Sequence, residues 1–376
     1  MKKIFAILLA LTLVLSLVAC GNKEAADGGS NGSNGGSAAP SGGKADSDVS
    51  TDFDLEGVTK YADEVDTKGM TFYWVCKVPG GTYWTGVETG IAAAQKELGL
   101  KDVVQMGVEK ETDIDVQLNN LQNAVAANPD AILSAPCDSM ALDGPMKEAK
   151  ENYGGPIILI DTVISTAGGY DAAILTNNFN AGQAVCRLLI QGLVEKGYTE
   201  GVVGLDCVNQ GSQTVIDRMD GFKAYWEENA SAEGLDGVQV LWDELKVSEG
   251  DSNMAISGGQ DLQTAHKDLV GLAGFNGDSV YFISSLKEAG NKNVIGVGMD
   301  FNVDSYDLME QGWEYASVAQ STYNMGYYGT YLAVAVLAGQ DLGGQRIDSG
   351  LLEVTQDNLK SQEVQDYVNL LKSAAK

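Results

Sequence analysis

The stretch Tyr73–Gly99, YWVCKVPGGTYWTGVETGIAAAQKELG, decides how the rest of the chain is read. An apolar run, Tyr73–Cys76, stops at Lys77 and is followed by a Pro-Gly-Gly turn and the aromatic pair Tyr83 and Trp84. Val87, Ile91, Ala94 and Leu98 then recur at helical spacing, as one apolar face of an amphipathic helix. The order is buried strand, glycine-loosened loop, helix. A charge and two rings thus stand at the carboxyl end of a strand, where open α/β sheets bind ligands. Two readings of the rings are open at this point: caps over the core, or walls of a site.

The same unit repeats outward from there. Apolar runs predict strands at 70–76, 102–108, 130–135, 156–161 and 171–176, then at 201–206, 237–242, 271–275, 293–298, 314–319 and 351–354. Amphipathic segments separate them; Ile114, Leu118, Leu121 and Val125 share one face, as do Met219, Phe222 and Trp226. Such alternation means parallel sheets covered by helices on both faces. So many strands exceed one comfortable twisted sheet, which predicts two lobes. Lys77, Asp138, Asp161, Asp206, Asp243, Asn276, Asp300 and Gln320 all fall at or just beyond strand ends. One such residue alone reads as a helix N-cap. Together, from two facing sheets, they would line one cleft rich in carboxylates and amides. Asp138 and Asp206 still read as ordinary cap or turn residues.

The amino terminus carries a different message. Lys2 and Lys3 precede an apolar segment, Ile4–Val18, that ends in Leu17-Val18-Ala19-Cys20. This is a secretion signal too short to span a bilayer, which takes about 20 apolar residues. It looks like a bacterial lipoprotein signal, residues 1–19, with Cys20 as the lipidated first residue of the mature chain. Residues 20–54 are rich in Gly, Ser, Ala and Asp and are expected to form a disordered tether. Such a coil has a typical span of about 30 Å. The expected location is therefore the extracytoplasmic face of the cell membrane. Without residues 1–19 the chain has 22 basic against 52 acidic residues, a net charge of −30. That balance argues against nucleic acid as a partner. Cys76, Cys137, Cys186 and Cys207 show no metal spacing and read as mostly buried thiols.

Several motifs fail. Gly296-Val297-Gly298 lacks the third glycine of a dinucleotide fingerprint, with Phe301 in its place. Asp300, Asn302 and Asp304 open like a calcium loop, but Ser305 and Gln311 occupy its glycine and glutamate positions. His266 is the sole histidine and stands where a helix ends, which leaves little room for Ser-His or Cys-His chemistry.

With these residues in place, the chain resembles the periplasmic binding proteins of the sugar-binding type I family, the ribose/galactose-binding group, from Met70 to Asp348. Gly80-Gly81-Thr82-Tyr83-Trp84 is similar to the family's first ligand loop, and Ser134–Ser139 to its third strand-to-helix turn. Ile158-Leu159-Ile160-Asp161 matches the strand ending in a ligand-binding Asp. Gly211-Ser212 through Arg218 to Phe222 fits a helix start, and Leu262–Asn276 leads to a ligand Asn. Gly296–Asp300 and Ala319-Gln320 match the last two ligand-bearing strand ends.

The resemblance implies two Rossmann-like lobes joined by three crossing strands and closing on a ligand. The N-terminal lobe would take 55–177 and 321–349, the C-terminal lobe 178–320 and 350–376. The protein would be no enzyme but the solute-binding component of an ABC transporter, handing a monosaccharide to a permease. No cofactor or metal is implied, and a monomer is expected. Carried over residue by residue, Tyr83 and Trp84 would stack on the sugar ring, while Asp161, Asn276, Asp300 and Gln320 would bond its hydroxyls. Such contacts suit a sugar, which offers C–H faces to rings and hydroxyls to charged acceptors.

The departures from that pattern bear on the ligand. Thr162 and Ile216 stand where the ribose group has arginines, and Gly81 where it has an asparagine. Losing two bidentate donors argues against ribose. Lys77-Val78-Pro79-Gly80 also resembles the first loop of the autoinducer-2 and rhamnose branch, where a lysine touches ligand; Lys77 reads equally as a solvated rim lysine. A receptor for an autoinducer-2-like signal or another polyol is thus the alternative. A glycosidase is a remote third, since no acid/base pair stands in a recognisable context.

Overall fold

The computed structural model describes residues 49–164, 166 and 168–374. The signal segment, Cys20 and most of the expected tether lie outside the described residues.

The chain first runs β1 (Val49–Ser50), β2 (Thr71–Val75), α1 (Gly81–Leu98), β3 (Asp102–Met106), α2 (Ile114–Ala127), β4 (Ala131–Ser134), α3 (Asp143–Tyr153), β5 (Ile157–Ile160) and β6 (Ala172–Leu175). It continues through α4 (Asn178–Glu195), β7 (Glu200–Cys207), α5 (Gln213–Asn229), β8 (Gly237–Val240), β9 (Lys246–Val247), α6 (Ser252–Ala265), β10 (Leu269–Gly274), α7 (Ser279–Ala289) and β11 (Ile295–Met299). Last come α8 (Val303–Glu310), β12 (Ala316–Gln320), α9 (Thr322–Leu337), β13 (Gln345–Asp348), β14 (Leu351–Thr355) and α10 (Gln362–Ala374).

Two sheets result. The first has the order β1-β13-β6-β5-β4-β2-β3 and is parallel throughout. The second has the order β14-β12-β11-β10-β7-β8, with β9 beside β7, and only β14 runs antiparallel. Strands such as β4, AILS, and β5, IILI, are buried at every residue because helices cover both faces of their sheet. One core, around Trp74, Val87, Ile91 and Leu332, lies on one face of the first sheet, and a second, around Leu121, Met146 and Leu159, on the other. The second sheet is likewise sandwiched, by clusters around Phe222 and around Leu262 and Phe282. The protein is an α/β fold of parallel sheets flanked by helices.

The chain passes between the sheets three times: between β6 and α4, between β12 and α9, and between β13 and β14. These passages bond to one another. Ser349 N–H donates to Leu175 O at 2.8 Å, Asn177 N–H to the Asp348 carboxylate at 3.0 Å, and Ser321 N–H to Gly350 O at 3.3 Å.

Three short strands escaped the sequence reading, and one corrects it. Val49–Ser50 falls inside the expected tether 20–54, yet Val49 is buried and pairs with Arg346 of β13. A single apolar residue in a polar run carries no periodicity, so only the open sheet edge reveals it. β13, QRID, and β9, KV, are polar for the same reason: they lie at or near sheet margins.

Candidate functional site

The carboxyl edges of the two sheets bring most of the expected polar residues together. Lys77 stands two residues past β2, and its Nζ lies 3.1 Å from Asp161 Oδ2 and 2.8 Å from Thr162 Oγ1. The lysine is almost fully buried, so it belongs to the cleft and not to its rim. Tyr83 donates its hydroxyl to the other Asp161 oxygen at 2.5 Å and lies 3.3 Å from Gln320 Oε1. Gln320, the last residue of β12, also accepts from Thr176 Oγ1 at 2.7 Å and donates to Asp300 Oδ1 at 2.6 Å. Tyr83 and Gln320 thus stand side by side between the two acids, Tyr83 donating to Asp161 and Gln320 to Asp300.

The two acids are structural counterparts. Asp161 follows β5 and Asp300 follows β11, strands that hold matching places in the two sheet orders. Both take left-handed backbone conformations, with φ of 69° and 59°. For a residue other than glycine that costs about 1–3 kcal/mol, and such strain collects at functional sites. Each acid also has a cation. Lys77 serves Asp161; Arg218 of α5 lies 3.8 Å from Asp300 Oδ2. Arg218 is held in place by Asn178 Oδ1 and Phe275 O, both at 2.9 Å. Asn276, next to that carbonyl, is buried with its Oδ1 free of any partner among the described residues.

The charge states follow from these neighbours. Burial alone would raise the Asp161 carboxyl, but Lys77 and the bonds from Tyr83 and Thr162 outweigh it and hold the group below its ordinary value. Burial would lower Lys77, and Asp161 with Glu111 reverses that. Burial and the adjacent Asp161 charge push the Tyr83 hydroxyl well above the ordinary tyrosine range, so it remains a donor.

The aromatic pair divides. α1 begins at Gly81, preceded by Gly80 at φ 78°, so Tyr83 and Trp84 sit in its first turn. Neighbouring helical residues point about 100° apart, and only one of them can face the cleft. Tyr83 does. Trp84 joins Val87, Ile91, Ala94 and Leu98 in the core, with its ring 6.3 Å from Trp74 and 5.1 Å from Tyr83. The expected stacking wall at Trp84 is therefore corrected to a buried support beneath Tyr83, with Lys77 Nζ 5.6 Å from its ring centroid. Its place three residues before Val87 was the signal in the sequence.

The remaining strand-end residues sort cleanly. Asp138 accepts from the amides of Met140 and Ala141, an ordinary turn. Asp243 is exposed. Asp206 corrects the cap reading: it lies within β7, fully buried, with neither carboxylate oxygen partnered among the described residues. Sequence reasoning also passed over Gln117 of α2. Its buried amide bonds Cys76 O, Ala135 O and Cys137 N, and so ties together the ends of β2 and β4. Cys76, Cys137, Cys186 and Cys207 are free thiols. Among the described residues no three His, Cys, Asp or Glu gather as a metal site, and no helix is long and apolar enough to cross a membrane.

Two lobes with paired carboxylates and amides converging from strand ends define a ligand-binding protein of the two-lobed α/β class. The chain belongs to the periplasmic binding protein domain family, whose model matches residues 72–341. Among curated relatives, the D-apiose import binding protein of Paraburkholderia graminis is 26% identical over 200 residues, which span 50% of this chain and 63% of that one. The ribose import binding protein of Bacillus subtilis is 19% identical over 264 residues, 69% of this chain and 78% of that one. Among solved structures, a carbohydrate transporter solute-binding protein from Agrobacterium radiobacter in complex with D-arabinose is 26% identical, with a TM-score of 0.68. The alignment covers 80% of this chain and 99% of that one. An ABC transporter solute-binding protein from Agrobacterium vitis with bound D-fucose is 27% identical at a TM-score of 0.66, covering 79% and 99%.

Proposed function

We propose that this chain captures a neutral monosaccharide between its lobes and delivers it to the permease of an ABC transporter, while tethered by lipid on Cys20. The observation that carries the reading is the pair of compensated acids, Asp161 with Lys77 and Asp300 with Arg218, each also accepting from a neutral donor, Tyr83 and Gln320 respectively. Two acids matched by two bases give a polar site without net charge. It suits a ligand whose hydroxyls each donate and accept, rather than an ion. A sugar would insert its hydroxyls between these groups, taking Asp161, Asp300, Asn276 and Gln320 as partners and lying against Tyr83. Charged acceptors make the stronger bonds, and a closed cleft penalises any analogue that leaves one unmade. The relatives that bind D-apiose, D-arabinose and D-fucose support the same ligand class.

The test is a thermal-shift panel of D-apiose, D-arabinose, D-fucose, D-ribose and further pentoses and hexoses on the purified protein. At least one should raise the melting temperature, and Asp161→Ala or Asp300→Ala should abolish that rise. A flat panel would sink the sugar reading, and turnover of a bound sugar would sink the binder reading. A second reading has one observation in its favour. Lys77 lies inside the cleft, as expected for a receptor of an autoinducer-2-like polyol. A furanosyl polyol of that type, added to the panel, separates the two.

A further inference from the structure

α10 lies beyond the residues that the family model matches. It docks on α8 and also touches α1. Val364 and Val368 are buried beside Phe301 and Met309, and Lys360, just before the helix, pairs with Glu310 and donates to Tyr306 at 2.5 Å. From this anchored helix Tyr367 reaches back to the chain just after β11 and β12. Its ring packs on Phe301, the residue after Asp300, with centroids 6.1 Å apart. Its hydroxyl lies 3.5 Å from the main-chain oxygen of Gln320, where the chain leaves the second sheet. Burial and then the nearby Asp300 charge push that hydroxyl above the ordinary tyrosine range, which keeps it a donor.

We propose that Tyr367 is a positioning residue for the ligand site, holding the Asp300 turn and the Gln320 passage in their binding geometry. The proposal rests on the cleft being the ligand site. Its physical basis is the strain at Asp300. A left-handed aspartate persists only where its surroundings over-determine it. Phe301 N–H donates to Val318 O at a long 3.3 Å, so that bond alone is a weak restraint. The Tyr367 ring covers Phe301 and closes the route by which the turn would relax. Relaxation would swing the Asp300 carboxylate away from Gln320 Nε2, now 2.6 Å distant. One aromatic residue thereby bears on two of the residues proposed to hold the ligand.

The test uses the full mature protein and three variants: Tyr367→Leu, Tyr367→Phe, and Leu371→Ala as a control that weakens α10 at a buried position outside the Phe301 cluster. Amide hydrogen exchange without ligand should show Phe301 and Ser321 exchanging about tenfold faster in Tyr367→Leu, with Phe301 protection retained in Tyr367→Phe. Unchanged exchange in Tyr367→Leu overturns the proposal, whether or not any sugar binds. Affinity is then measured for the panel monosaccharide giving the largest thermal shift. Tyr367→Leu should bind it about tenfold more weakly, Tyr367→Phe within about threefold of wild type, and Leu371→Ala unchanged despite a lower melting temperature. Equal affinity losses in Tyr367→Leu and Leu371→Ala would reduce Tyr367 to a merely structural role. A flat sugar panel refutes the function proposed for the cleft and leaves the exchange data to decide this one.

Discussion

At Asp161 and Asp206 the same side chain meets opposite fates. Asp161 is buried but answered by an ammonium and two hydroxyls, so it stays ionised below the usual carboxylate range. Asp206 is buried with no such answer, and desolvation, helped by the Asp278 charge, pushes it up to about 8. Burial raises Glu314 to about 8 as well. For both, the folded value exceeds the unfolded one of about 4. Their contribution to stability is then complete below about pH 4 and is lost as pH rises through 8, because the unfolded chain gives up the proton first. Asp206→Asn should therefore raise the melting temperature, and the gain should grow from pH 5 to pH 8. A gain that is flat or shrinks with pH would contradict the protonated state assigned to Asp206.

Among the elements, α1 and α9 pack closely enough to decide where the first site residue points. A Cβ on Gly326 would come within 2.0 Å of Val87 O, and one on Gly90 within 2.1 Å of Tyr323 O. The backbones meet there because no side chain intervenes. That contact seats α1 with Trp84 inward and Tyr83 toward Asp161. Gly326→Ala should force the helices apart and cost about 1–3 kcal/mol. Thermal denaturation measures the loss, and an unchanged melting temperature would show that the helices slide freely. If α1 shifts, affinity for the panel sugar should fall with it, since Tyr83 rides on that helix.

Over the whole molecule, the arrangement is two polar strand-end sets brought together by three chain passages. The acids and their cations cancel within the cleft, while the exterior keeps the surplus of acidic residues. An acidic body near a membrane is repelled by anionic lipid, so attachment would depend on the lipid at Cys20 rather than on surface charge. Metabolic labelling with palmitate in a bacterial host should mark the wild type and leave Cys20→Ser unlabelled and released from the membrane. Labelling of the serine variant would refute the anchor proposed at that residue.

Much of this was legible in the sequence by itself. Strand-helix alternation, the glycine turn before α1 and the polar residue after nearly every apolar run are local patterns, written in periods of two and 3.6 residues. They sufficed for the α/β class, for two sheets, and for the position of Lys77, Asp161, Asn276, Asp300 and Gln320 at strand ends. Only the tertiary structure decided the pairings: Lys77 with Asp161 across 84 positions, Arg218 with Asp300, Tyr367 behind Phe301, and Asp206 in the core without a hydrogen-bond partner among the described residues. It also separated Tyr83 from Trp84. Local pattern tells which residues lie near a strand end, whereas orientation and partnership depend on packing between segments far apart in the chain.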